Sequence, residues 1–480
     1  MRSHLLNATT TERYRACLTE GVERVAAEVA AAPRPFTGTQ ADDPSPRVAA
    51  VDLDAPLHDT VAALDELDAL YLRDAVSFHH PHHLAGHEGP VVIPAVLGEA
   101  VLSAVNASPD SRDRFAGAAL IERRLVDWTA ERVGLGPAAD GVFASDSEQA
   151  GLQALLLARE EAGADDPRAL RVFTSAAARP GVRRAAHLLG LGPDAVVAVP
   201  ADRAGRLQAV ALVRELERCA REGLVPMAVV ATAGTADFGS VDPLPQLAEV
   251  CARHGAWLHV DVAHGGGALL SRTRRHLLDG IERADSVAVD FHASFFQPAD
   301  CAALLVRDAA ALRHAADPAD RLDPRRAAWE RAPGRAGTPP RGTRRFDALK
   351  LWLTLRVMGA DAVGDLFDEV CATAARGFDL IAADPRFDVV AEPDLATLVF
   401  RYIPAAICSP ADIDRANLYA RKALFASGAA VVAGTRAGER QYLKLVLRDP
   451  GTTAADLTAV LDLIAGHAEQ YLGESLDRAS

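Results

Sequence analysis

Lysine is scarce in this 480-residue chain: of 51 lysines and arginines, only Lys350, Lys422 and Lys444 carry a primary amine. Chemistry that needs a lysine nucleophile or Schiff base therefore has three candidates. Imidazoles and carboxylates stand at more telling places. Asp261 lies within the apolar run WLHVDVA and His264 directly after it, His292 follows SVAVDF, Glu148 follows GVFAS, and His79, His80, His82, His83, His87 and Glu88 form one tract. Such groups converging on one site are a ligand set for a divalent metal, with Asp261, His264 and His292 as candidates, or an acid/base pair. Each also has a plainer reading. Ser145-x-x-Glu148 is a capping box, about 1 kcal/mol to the helix it opens. The histidine tract is a solvated loop, because Pro81 and Gly86 interrupt any helix there. Asp261 persists as a buried, bonded carboxylate, and Arg179 pairs with Glu148 or Asp146.

These residues need elements to position them. From about residue 90 to 310 short β-branched runs alternate with helical stretches, the pattern of a doubly wound, mostly parallel sheet. Strands are predicted at 141–145, 170–175, 195–200, 227–234, 257–263, 286–291 and 301–307, and helices at 147–163, 206–223 and 243–254, the last opened by Pro243 and stopped by Gly255. Asp261 and His292 then fall at carboxyl ends of strands, where such sheets bind ligands. His264 joins them only if the chain turns after Asp261, which Gly265-Gly266-Gly267 permits.

Residues 1–75 read as an N-terminal helical arm, 76–354 as a large α/β domain and 355–480 as a smaller C-terminal α+β domain. A Pro-, Gly- and Arg-rich loop precedes the helix FDALKLWLTLRVMG. Net charge is −14, which disfavours a nucleic-acid partner, and no apolar run is long enough for a membrane span. The N-terminus shows no secretory signal, so a cytoplasmic protein is expected. Six scattered cysteines read as reduced thiols.

The blocks ATAGTADFGSVDP, LHVDVAHGGGALLSRTRRHLLDGIERADSVAVDFHASFFQPADCAALLVRD and TRRFDALKLWLTLRVMG resemble the group II pyridoxal-phosphate (PLP) decarboxylases. This is the aromatic-amino-acid, glutamate and diaminobutyrate type, and the likeness is strongest to the siderophore-polyamine branch. It runs from about residue 50 to 465. It implies an α/β fold of the fold type I PLP-dependent transferase class, and a homodimer with an N-terminal arm packed on the second subunit.

The resemblance also implies a cofactor site, and this chain departs from it at four places. Ala293 stands where the family's Schiff-base lysine follows Asp-x-His. Ser145-Asp146-Ser147-Glu148-Gln149 replaces the phosphate-binding turn. Arg179 stands in place of the histidine stacked on the cofactor ring, and the segment 315–345 lacks the family's loop tyrosine. Asp261, the family's partner to the pyridine nitrogen, is kept, with Thr232, Gly234, Thr235 and His292.

Three readings of function follow. The preferred one is a repurposed, PLP-independent enzyme of secondary metabolism acting on an amino-acid- or amine-derived metabolite, with no cofactor. Its pocket uses Asp261, His264, His292 and Glu148, lined by Arg179, His87, Glu88, Thr235 and Ala293. It is preferred because a dead pocket should drift toward apolar filling. The second is a non-catalytic partner of an active enzyme. The third is a PLP-dependent decarboxylase with an altered active site, either engineered or binding the cofactor non-covalently.

Overall fold

A computed structural model of the chain describes residues 2–38, 45–72, 75, 77–86, 89–107, 109, 112–315 and 344–479. It divides into two compact units, a larger one of residues 91–375 and 390–397 and a smaller one of residues 1–90, 376–389 and 398–480. His87, Glu88 and the segment 316–343, which spans most of the expected loop, lie outside the described residues.

Strand β1 (His83–Leu84) belongs to the smaller unit; β2 to β8 build the larger one. These are β2 (Asp140–Ala144), β3 (Leu170–Ser175), β4 (Val196–Val199), β5 (Val225–Thr232), β6 (Trp257–Asp261), β7 (Ser286–Asp290) and β8 (Ala302–Val306). They form one seven-stranded sheet in the order β2-β8-β7-β6-β5-β3-β4. The pairs β4–β3, β3–β5, β5–β6 and β6–β7 are parallel, while β8 runs antiparallel to β7 and β2. The expected α/β, mostly parallel architecture is therefore present. Continuous apolar runs such as MAVVAT suit strands covered on both faces, and β5 is buried from Met227 to Thr232.

Helix ends follow the local sequence. Leu244–His254 starts after Pro243 and stops at Gly255, whose φ of 64° favours glycine. The turn that carries His292 is held from below. Phe291, fully buried, stacks on Phe143 at 5.8 Å between ring centroids and meets Phe295 edge-on at 5.1 Å. Burying a ring of that size contributes about 1.5–3 kcal/mol, enough to fix the turn's position against the sheet.

In the smaller unit, β9 (Phe387–Val389), β10 (Thr397–Tyr402), β11 (Val431–Ala437) and β12 (Arg440–Val446) join β1 in the order β1-β11-β12-β10-β9. The histidine tract is thus partly a strand and not a solvated loop. His83 is buried and pairs with Val431, the His82 Nδ1 lies 3.2 Å from the Ala429 carbonyl, and the His79 Nε2 lies 3.0 Å from that of Val29. The short, mixed run HHL gave no strand periodicity to read. Helix Thr11–Ala31 has no buried residue within the chain. Every described cysteine is free, and no described helix is long and apolar enough to cross a membrane.

Candidate active site

Three buried acids stand at the carboxyl ends of β5, β6 and β7, and each is treated differently. Asp242, ten residues after β5, returns beside the strand's end, where one carboxylate oxygen accepts the Leu207 N–H at 2.7 Å and the other the Thr232 N–H at 2.8 Å. Burial pushes its carboxyl up to about 6 despite those two bonds. Asp290 ends β7 and caps the turn Phe291–Ser294, accepting the amides of His292 at 2.9 Å and Ala293 at 3.4 Å. Burial raises it to about 6 as well, with the charge of Asp261 adding to the effect. Asp261 ends β6 and, among the described residues, accepts only the Ala263 N–H, at 2.9 Å. Loss of hydration raises its carboxyl, the Arg179 guanidinium draws it back down, and Glu148 opposes that.

Asp261 faces a cavity of about 430 Å³, part of it open to solvent, lined by Ser147, Glu148, Arg179, His259 and apolar side chains of the flanking helices. Arg179 donates to Nε2 of His264, so the His264 ring accepts there and carries its proton on Nδ1. Arg179 thus spans Asp261 and His264. The sequence offered Glu148 or Asp146 as its partner. Instead Glu148 pairs with Arg184 at 2.8 Å, on the exposed first turn of the neighbouring helix.

The capping box is also shifted by one residue. Asp146, not Ser145, is the N-cap of Ser147–Ala162, accepting the Gln149 N–H at 2.7 Å. Gln149, not Glu148, reaches back, its Oε1 accepting from the backbone N–H and the hydroxyl of Ser145. Aspartate caps as well as serine and lies one position nearer the helix.

Of the sequence-derived candidates, Asp261, Glu148 and Arg179 share the cavity wall, and His264 joins them through Arg179. Thr235, His292 and Ala293 do not line it. Thr235 is buried and shapes the turn after β5, its Oγ1 accepting the Ser240 N–H at 3.1 Å. Among the described residues no group of three or more His, Cys, Asp or Glu side chains is placed to hold a metal ion. The glycines after His264 serve close approach, not a reversed backbone: a Cβ on Gly265 would sit 2.3 Å from the Ala233 oxygen, and one on Gly267 2.2 Å from the Phe367 ring.

Sequence reasoning passed over His259, which shares a face of β6 with Asp261 two residues on. Its Nδ1 lies 2.9 Å from Ser286 Oγ, and burial lowers the imidazole to about 4, so it is neutral at the back of the cavity. The strand alternation in LHVD was the available signal.

None of the three lysines lines the cavity. Lys350 is fully buried and its ammonium is spent: Glu99 lies at 2.8 Å, Asp347 at 3.0 Å, and the carbonyls of Pro298, Ala299 and Asp300 at 3.0–3.2 Å. Lys422 and Lys444 belong to the smaller unit, Lys422 exposed on a helix and Lys444 in β12.

For PLP, these residues fit at the ring end. A carboxylate with an oxygen to spare, beside a polar-edged cavity at the carboxyl edge of a parallel sheet, is what a pyridine nitrogen needs. The N-terminus of Ser147–Ala162, which would receive a phosphate, is engaged by the chain's own Asp146.

The chain matches the model of the pyridoxal-dependent decarboxylase conserved domain over residues 49–403. It is 37% identical to the L-2,4-diaminobutyrate decarboxylase of Rhizobium meliloti (strain 1021), across 95% of this chain and 92% of that one. Its identity to the enzyme of the same name from Acinetobacter baumannii is 32%, over 85% and 84%. In structure it resembles the glutamate decarboxylase domain of diaminobutyrate-pyruvate transaminase and L-2,4-diaminobutyrate decarboxylase from Vibrio parahaemolyticus, with a TM-score of 0.87, 28% identity and 98% of each chain covered.

This nearly end-to-end similarity to decarboxylases overturns the preferred sequence reading. A PLP-independent enzyme, a non-catalytic pseudoenzyme and a chain without cofactor all conflict with it. Those readings weighed four local substitutions above the retained frame of strand ends and Asp261. That frame, with the match over residues 49–403, makes the chain a member of the group II pyridoxal-dependent decarboxylase family.

Proposed function

We propose that the chain is a PLP-dependent amino-acid decarboxylase with an altered active site, acting on a small amino acid of the 2,4-diaminobutyrate kind. What carries this reading is the 37% identity across 95% of the chain to a diaminobutyrate decarboxylase. The finer part of the proposal is that the Schiff-base lysine of the family is replaced by Ala293, so the cofactor is held without a covalent link to the protein. The spent ammonium of Lys350 supports this, since its five oxygen partners leave it no freedom to react.

When bound, PLP supplies the electron sink that lets a carboxylate leave as carbon dioxide. Asp261 would hold the ring nitrogen and favour its protonated form. Arg179 would orient the substrate carboxylate through its planar fork, and Glu148 would attract a substrate ammonium group. Neutral His264, fixed by Arg179, would carry a proton on Nδ1 for return to the substrate. Thr235 shapes the turn beneath them. The proposal includes a homodimer, supported by Ile93, Leu97 and Val105, which leave one face of the helix Ile93–Val105 apolar and exposed.

The test is carbon dioxide release from L-2,4-diaminobutyrate, glutamate and aromatic amino acids at saturating PLP. It is joined to borohydride reduction and peptide mapping. Release from the diamino acid, with no pyridoxyl group on Lys350, Lys422 or Lys444, is expected. No release from any amino acid would overturn the activity, and a labelled lysine would overturn the non-covalent cofactor. Light scattering at the mass of a monomer would remove the dimer.

A further inference from the structure

The smaller unit holds a second cavity that the decarboxylase reading does not use. It is a groove of about 450 Å³ between the helix Pro410–Ser427 and the hairpin β11–β12, lined by Leu418, Arg421, Arg436, Gln441 and Leu443 among others. The register sets its chemistry. Gly434 pairs with Leu443 and Arg436 with Gln441, and residues directly opposite in an antiparallel pair project to one side, as do alternate residues along a strand. Arg436 and Gln441 therefore stand on the same face as Leu443, which is buried.

Arg421 comes from the helix and lies across Gly434, where an added Cβ would be 3.3 Å from its Cδ and 3.4 Å from its Nε. The absence of a side chain at position 434 seats the arginine stem against the strand. The result is an apolar floor of Leu418 and Leu443 with two guanidinium groups and a carboxamide at its edges.

The arginines around the groove are already paired: Arg401 with Asp388 at 3.2 Å, Arg440 with Asp414 at 3.8 Å, and Arg415 with Asp412. Asp414 also accepts the Gln441 N–H at 3.2 Å. Arg421 and Arg436 have neither a carboxylate nor a hydrogen-bond acceptor among the described residues. In a chain of net charge −14, acids were plentiful for such pairs.

The geometry points to a binding site for a small organic dianion, a phosphate monoester or a dicarboxylate, held by Arg421 and Arg436 with Gln441 as a neutral donor. Guanidinium forks match the two oxygens of either group, and the leucine floor accepts the ligand's carbon stem. The site stands independent of the decarboxylase activity.

The test is the melting temperature of the full-length protein, titrated with inorganic phosphate and with succinate, against sodium chloride at equal ionic strength. A rise of about 2–4 °C is expected once the anion exceeds its Kd some tenfold, with none from chloride. Response to phosphate alone assigns phosphate monoesters, and response to both assigns dianions in general. R421Q and R436Q should each weaken binding at least tenfold while melting normally without ligand. R436Q, at an exposed strand position, serves if R421Q disturbs folding. An equal rise with chloride, no rise with either anion, or an unchanged response in R436Q would overturn the site.

Discussion

Two neighbouring strand ends in the same sheet place a buried aspartate at nearly the same height, and they use it in opposite ways. Asp242, beyond β5, spends both oxygens on backbone N–H groups of the strand and of the 207 segment. Asp261, at the end of β6, spends one on Ala263 and turns toward a cavity with Arg179 beside it. The first acid is a bolt between chain segments, and the second is held in readiness for a ligand. A buried carboxylate is therefore no mark of a site by itself. What distinguishes the functional one is a lone pair that the fold leaves unspent where space and countercharge coincide.

Breaking the bolt should give the largest effect. D242A leaves the N–H groups of Leu207 and Thr232 buried without partners, and should cost about 3–5 kcal/mol in urea unfolding. D261N should cost less than about 1 kcal/mol by the same measurement. Equal losses in the two variants would erase the distinction between the corners.

The second expectation concerns pH and isolates the cavity's rear wall. His259 is neutral in the fold, with its imidazole lowered to about 4, while the unfolded chain takes up a proton near 6.5. Its contribution is fully present above pH 6.5 and is lost as pH falls toward 4, by about 3 kcal/mol in all. Asp242 and Asp290, raised to about 6, act in the other direction, losing stability as pH rises from about 4 to 6. The difference between the parent protein and H259Q, measured by urea midpoints at pH 7 and 4.5, should therefore shrink on acidification. A difference independent of pH would mean that His259 titrates normally.

A third test sharpens the ready corner. D261N should weaken PLP at least tenfold, about 1.4 kcal/mol, in a spectroscopic titration, whereas D242N should leave the affinity of the folded protein unchanged. Equal affinity in D261N would detach Asp261 from the cofactor. The smallest effect belongs to the exposed pair Glu148–Arg184. R184Q should change stability by less than about 0.5 kcal/mol, because water screens both partners.

Much of the frame was legible in the sequence. Apolar β-branched runs bounded by turn residues marked β2 to β8 within one or two residues, and Pro243 and Gly255 marked both ends of a helix. The antiparallel run of β8 was not legible, because CAALLVR reads the same in either direction. β11 was missed because VVAGTRA carries a glycine and an arginine where alternation would show; the glycine makes room for the Arg421 stem, and the arginine lines the same groove. Four substituted motif positions led toward a chain without a cofactor. Similarity across the whole length reversed that, since motifs sample a few contacts and the fold samples hundreds.

The order of residues alone determined the elements, the scarcity of lysine, Ala293 after His292, and the family resemblance, because these are properties of spacing and composition. Only the tertiary structure decided which polar groups meet. It gave Lys350 to Glu99 and three carbonyls, Glu148 to Arg184, and Arg179 to His264. Each of those partners lies far along the chain or on a neighbouring helix, and hydrogen bonds are decided within 3.5 Å in space. No spacing along a sequence encodes that distance until the sheet has folded.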